Sequence, residues 1–178
     1  MITFLLFLAT QLGASSAAIT PAPPTSAINP LEAIRVYAGA WTVTSSKTMA
    51  GPGKPDILVN RCFMATAFYT CEQQVNGKAL ALVVFTATSL AGAFHTQPML
   101  PNGQATGRGD LTITGDHWVF TSKTPVATGK TSTWYRTENF FTGRDHIHFD
   151  QYESADGVTW TKSNSGDEVR VPMRTPHP

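Results

Sequence analysis

The chain has 178 residues, 13 basic against 12 acidic side chains and a net charge of +1, and only 14% of it is charged, where an average soluble domain has roughly 25%. Sparse, balanced charge excludes a nucleic-acid binder, which needs a basic stripe to release counterions, and 42% apolar content excludes a disordered chain. With 25 Thr, 14 Gly and 12 Pro, the composition suits a Thr-rich all-β domain around one core better than a helical bundle.

Residues 1–18 carry no charge. Phe4 to Leu12 is an apolar run broken only by Thr10 and Gln11, and small residues follow, with Ser16 and Ala18 at the small-x-small positions of a cleavage site. This reads as a secretory signal peptide, although no basic residue precedes it. The run is shorter than the roughly 20 apolar residues of a membrane span. No Cys stands at the cleavage point, so no membrane anchor is expected. Residues 19–28 read as a Pro-rich linker, 29–172 as the folded barrel and 173–178 as a disordered tail. The implied location is secreted or periplasmic.

Asn29-Pro30-Leu31-Glu32 is a helix start, with Asn as cap, Pro in the first helical position and Glu three residues after the cap. Leu31, Ile34 and Ala38 share one face, and Gly39 ends the helix. Turn residues then recur, among them Asn76-Gly77 and Asp156-Gly157, the strongest hairpin pairs. Between them lie runs with strand character: Trp41 to Thr48, Ile57 to Met64, Ala79 to Thr88, Leu111 to Thr114, Trp118 to Lys123, Ser132 to Phe141, His146 to Tyr152 and Val158 to Lys162. The connections are too short for crossover helices, so neighbouring strands must be antiparallel. An all-β, closed antiparallel up-and-down barrel of about ten strands, with one short N-terminal helix, removes the exposed edges. A β-sandwich is the alternative.

Cys62 and Cys71 are the chain's two cysteines. Folding this stretch about Thr66 and Ala67 puts Cys62 opposite Cys71 in a non-hydrogen-bonded pair, the closest approach across a ladder. The same register sets Arg61 opposite Glu72 on the other face. A cross-strand disulfide is expected; two structural thiols or a metal pair are the alternatives.

The short helix, Gly39-Ala40-Trp41 opening the first strand, and Arg170 on the last strand resemble the calycin superfamily, lipocalins included. That resemblance implies that Arg170 packs across the Trp41 indole at the closed end, beside Gly39. The wider pattern is similar to an uncharacterised family of secreted bacterial calycin-like barrels. Its stretches are Asn60-Arg61-Cys62, Cys71-Glu72-Gln73, Gly107 to Leu111, Gly143 to Phe149, Asp156-Gly157 with Trp160, and Gly166 to Arg170. The resemblance implies a barrel and no established activity. Thr-Val-Thr follows Trp41 in place of the spaced glycines of haem-binding nitrobindin relatives, so no cofactor is expected.

His146-Ile147-His148 is the sharpest chemical feature. Alternate strand residues share a face, so both imidazoles could grip one metal ion or line a cavity. A metal site would need His95 or Asp110 as third ligand; polar histidines without metal are the favoured reading. Arg136 and Arg108, if inward, could hold a carboxylate. Arg108-Gly109-Asp110 and Gly129-Lys130-Thr131 are chance matches to adhesion and phosphate-loop motifs. No Gly-x-Ser-x-Gly elbow exists, and Asp145, Asp150, Glu153 and Asp156 read as solvated acids. The expectation is a non-catalytic exported barrel that binds a small apolar or amphipathic ligand through Trp134, Arg136, His146 and His148. The alternatives are a structural domain without a cavity and a metal-dependent enzyme using the His pair. Oligomeric state is not encoded in any visible motif.

Overall fold

Asn29 starts the fold by accepting the Leu31 N–H at 3.0 Å through its side-chain oxygen, while Pro30 occupies the first helical position. The computed structural model describes residues 29–124 and 132–172; the signal-peptide, linker and tail segments at 1–18, 19–28 and 173–178 lie outside the described residues. The helix, Pro30–Tyr37, winds as a 3-10 helix. That winding aligns residues three apart, so Leu31 and Ile34 form one row, and both are buried in the barrel end.

Ten strands follow: β1 (Gly39–Ser45), β2 (Asp56–Ala65), β3 (Phe68–Val75), β4 (Lys78–Ala87), β5 (Ala93–Met99), β6 (Gly109–Thr114), β7 (His117–Lys123), β8 (Trp134–Thr142), β9 (His146–Ser154) and β10 (Thr161–Arg170). Each pairs antiparallel with its chain neighbours, and β1 pairs with β10 to close the barrel. Closure leaves no free sheet edge.

Two strands depart from the sequence reading: β1 ends at Ser45 rather than Thr48, and β10 is shifted along the chain. Val158 and Thr159 belong to the loop before β10 rather than to a strand. The Asp156 carboxylate takes both of their N–H groups at 2.8 Å, which removes them from any ladder. β10 therefore begins at Thr161 and runs on to Arg170.

The β2–β3 hairpin has the register expected of it. Ala65 faces Phe68, Met64 faces Tyr69, and Cys62 faces Cys71 with Cα atoms 4.1 Å apart and sulfurs at bonding distance. Thr66 takes φ of 35° to make the turn. Arg61 and Glu72 meet on the outer face at 4.0 Å.

One end of the barrel is plugged by Leu31, Ile34, Trp41, Leu111, Trp118 and Ile147. Trp41 and Arg170 are partners across the β1–β10 seam. The Arg170 guanidinium lies 4.1 Å from the Trp41 ring centroid. It donates to the carbonyls of Ala38 (2.7 Å), Val36 (2.6 Å) and Arg144 (2.9 Å), and to the Asp145 carboxylate (2.8 Å). A side chain at Gly39 would bring a Cβ within 2.8 Å of Arg170 Nη1, and Gly39 has φ of 125°, so glycine is required twice over.

Arg170→Met strands three backbone carbonyls and is expected to cost about 2 to 4 kcal/mol, read as a lower urea midpoint. Arg170→Lys should recover little, because a compact ammonium cannot stack flat on the Trp41 ring and reach four spread acceptors at once. Native protein without reductant should give no titratable thiol, and Cys71→Ala should lose roughly 2 to 3 kcal/mol of stability.

Candidate functional site

The barrel interior divides into two halves. Apolar rings fill the helix-covered end, while the other half holds a cavity of about 480 Å3. That volume lies within the roughly 300 to 1,000 Å3 of small-molecule sites. Its apolar wall includes Val43, Leu58, Val83, Phe120 and Phe149. Phe149 reaches across because β10 has Gly166 beside it; a Cβ there would stand 2.9 Å from the ring.

The floor is polar. Tyr37, the last helical residue, enters from the plugged end, with its ring edge-on to Trp118 and Phe141. Its carbonyl accepts from Trp41 Nε1 and Asn60 Nδ2, both at 3.1 Å. Its hydroxyl accepts a hydrogen bond from Asn139 Nδ2. Asn139 is 5% exposed, and its Oδ1 has no partner among the described residues. Turning the amide over would exchange the roles of its two ends and still leave one buried atom unpaired.

Glu168 of β10 lies between Val43 and Ile147 in the ladders and lines the same cavity. The residue keeps some accessible surface on its cavity flank, yet Oε2 is shut from solvent and has no hydrogen-bond partner among the described residues. Burial pushes its carboxyl up from 4.5 to about 7. Burial also raises the Tyr37 hydroxyl well above its ordinary value, and the nearby Glu168 charge adds to that. An unpartnered buried carboxyl and amide are costly in isolation. Both residues line the cavity at depth beneath an apolar wall, the pattern of a ligand site.

Asp56 at the open end behaves differently. Burial works to raise its pKa, but the Asn76 amide and the N–H groups of Met49 and Ala50 outweigh burial and lower it. Its oxygens are thus occupied in fixing the β1–β2 loop.

The residues singled out in the sequence lie elsewhere. On β8, Thr137 and Asn139 line the cavity, so Trp134 and Arg136 point outward. On β9, Ile147 is buried and Phe149 lines the cavity, so His146 and His148 point outward too. None of the four lines the cavity. Apolar Ile147 and Phe149 take the interior, and strand alternation then sends both histidines to the surface.

There, His146 Nε2 and His148 Nδ1 share Asp167 Oδ1 at 3.1 Å each. His95 and Asp110 pair with each other at 2.8 Å on β5 and β6, with β7 and β8 separating them from β9. Among the described residues, no group of three or more His, Cys, Asp or Glu side chains is arranged to hold a metal ion. Arg136 is sandwiched between the Tyr152 and Trp160 rings, 4.6 Å from each. Its Nε is 3.0 Å from Glu138, in ion-pair contact without hydrogen-bond geometry. Lys123 stands 4.9 Å over the Trp134 ring. Arg108 is exposed just before β6.

Sequence reasoning missed Tyr37, Asn139 and Glu168. A signal for Glu168 existed. It lies two residues before Arg170, so any argument that turns Arg170 toward Trp41 turns Glu168 to the inside as well.

Comparison with known proteins bears on the fold alone. The crystal structure of Rv2717c from M. tuberculosis is similar, with a TM-score of 0.50 and 17% identity over 80% of this chain and 98% of that one. A likeness at that identity supports the barrel fold and carries no activity across. No protein-family model matches the chain, and no curated protein matches it.

The raised Glu168 pKa has a consequence for stability. The folded protein holds a proton that the unfolded chain releases above about pH 4.5. This group's favourable contribution is therefore complete below that pH and is lost as pH rises through about 7. Glu168→Gln should flatten that decline, gaining up to about 3 kcal/mol over wild type at pH 8 and little at pH 4. Parallel pH–stability curves for the two proteins in urea unfolding would count against a desolvated carboxyl.

Proposed function

We propose that this protein is a non-catalytic binding barrel that takes up a small, mostly apolar molecule with a polar head. The observation that carries this reading is the cavity of about 480 Å3, apolar along its wall and lined at depth by the Glu168 carboxyl and the Asn139 amide. A polar head group would meet the Glu168 carboxyl, and an apolar body would cover the aromatic and aliphatic wall. The competing reading, a structural domain without a ligand, fits less well. Protein interiors close up to near-crystalline density where nothing needs to enter.

A secreted or periplasmic location accords with the uncharged apolar N-terminus and with a cysteine pair at bonding distance, which persists in oxidising compartments. The calycin-like placement of Gly39, Trp41 and Arg170 supports the same reading, because such barrels close one end and leave the other for ligand entry.

Nile red, a neutral apolar fluorophore, tests the cavity. Wild-type protein should bind it in one-to-one ratio with enhanced, blue-shifted emission. Thr137→Trp, which projects an indole into the cavity, should weaken binding by at least about tenfold, or 1.4 kcal/mol. Undiminished binding by a folded Thr137→Trp protein would put the dye outside the barrel and remove the basis of the reading.

A further inference from the structure

The inner wall is short of positive charge. Its charged lining residues are Lys47, Asp56 and Glu168. Lys47 is exposed in the loop after β1, and the Asp56 oxygens are occupied by Met49, Ala50 and Asn76. At depth, among the described residues, Glu168 is the charged group that lines the cavity, and its Oε2 has no hydrogen-bond partner.

We infer that the head group accepted by this cavity is a protonated amine, held by the Glu168 carboxylate. This rests on the small-ligand reading above and narrows it. An ammonium brings three N–H donors, no acceptor and a full positive charge, which matches a floor whose charged group is a carboxyl. A carboxylate head would set a second anion beside Glu168 with no cation at the floor to offset it. A hydroxyl brings one donor and no charge, and so gains much less from a desolvated carboxylate.

The groups around Glu168 leave this preference in place. Its ladder neighbours, Val43 on β1 and Ile147 on β9, do not titrate. Tyr37 from the helix is held neutral by burial. Arg170, next on the same face of β10, is committed to the Trp41 ring, three carbonyls and Asp145. Amine binding ionises the carboxyl, so below about pH 7 the Glu168 proton passes to solvent as the ligand enters.

Calorimetric titration of the full chain with octylamine, octanol and octanoic acid at about pH 8 separates the head groups. The amine should bind at least about tenfold more tightly than the alcohol, and the acid most weakly. In Glu168→Gln the amine and the alcohol should bind alike. Should that variant not fold, proton release in wild type decides the matter. Near pH 6, in buffers of differing ionisation enthalpy, amine binding should release close to one proton and alcohol binding none. An amine no tighter than the alcohol, a preference that survives in Glu168→Gln, or amine binding without proton release overturns the head-group assignment and leaves the cavity reading standing. Failure of all three compounds, together with failure of Nile red, removes the cavity reading and this assignment with it.

Discussion

Arg170 stacked on Trp41 is the contact from which the rest of the molecule is organised. Both residues sit in the β1–β10 seam, the pairing that turns a ten-strand meander into a closed barrel. The guanidinium has five donors in a rigid plane and uses them to gather separate chain segments. It holds the carbonyls at the end of the helix and the carbonyl of Arg144 in the β8–β9 turn. Trp41 in turn donates to the Tyr37 carbonyl. One cation–π pair therefore closes the barrel, seats the helix and positions the tyrosine that begins the cavity floor. Gly39 has no side chain because the guanidinium occupies that space.

That placement explains how a polar floor survives inside an apolar plug. Tyr37 is pinned from both sides, by the Trp118 and Phe141 rings and by hydrogen bonds to its carbonyl. The plugged end supplies the burial that stabilises the fold. The other end has given up packing density for space. Glu168 and Asn139 stand at the boundary, close enough to the plug to be desolvated and close enough to the cavity to meet a ligand. Proteins retain such local costs where a site needs them.

The low charge content looks different once the faces are assigned. Many of the few ionisable side chains are spent on the outer wall, in pairs such as Arg61 with Glu72, His95 with Asp110, Arg136 with Glu138, and Lys162 with Asp150 at 2.6 Å. The exposed pairs, Arg61 with Glu72 and His95 with Asp110, contribute little stability. Their effect is to keep the outside of a closed sheet polar while Thr, Ser, Asn and Gln do the rest. Among the described residues the interior keeps one carboxyl at depth, which is why a single residue dominates the chemistry of the cavity.

Local information in the chain reaches a definite distance. Turn residues, strand alternation and the helix cap are set by neighbours along the sequence. They determined the strand count, the antiparallel meander, the helix start and the full register of the Cys62–Cys71 hairpin. β5 was harder to see because Pro98 stands inside it, and the end of the Asp156 loop was misplaced because a side chain took backbone donors. Direction was the larger gap. His-Ile-His reads as a site in one dimension, and only the burial of Ile147 against the plug shows that the histidines face out. The cavity floor is further removed still. Tyr37, Asn139 and Glu168 come from the helix, β8 and β10, and their desolvation exists only after the β1–β10 seam has closed. A carboxyl's pKa depends on what surrounds it in space, and no stretch of this sequence carries that information alone.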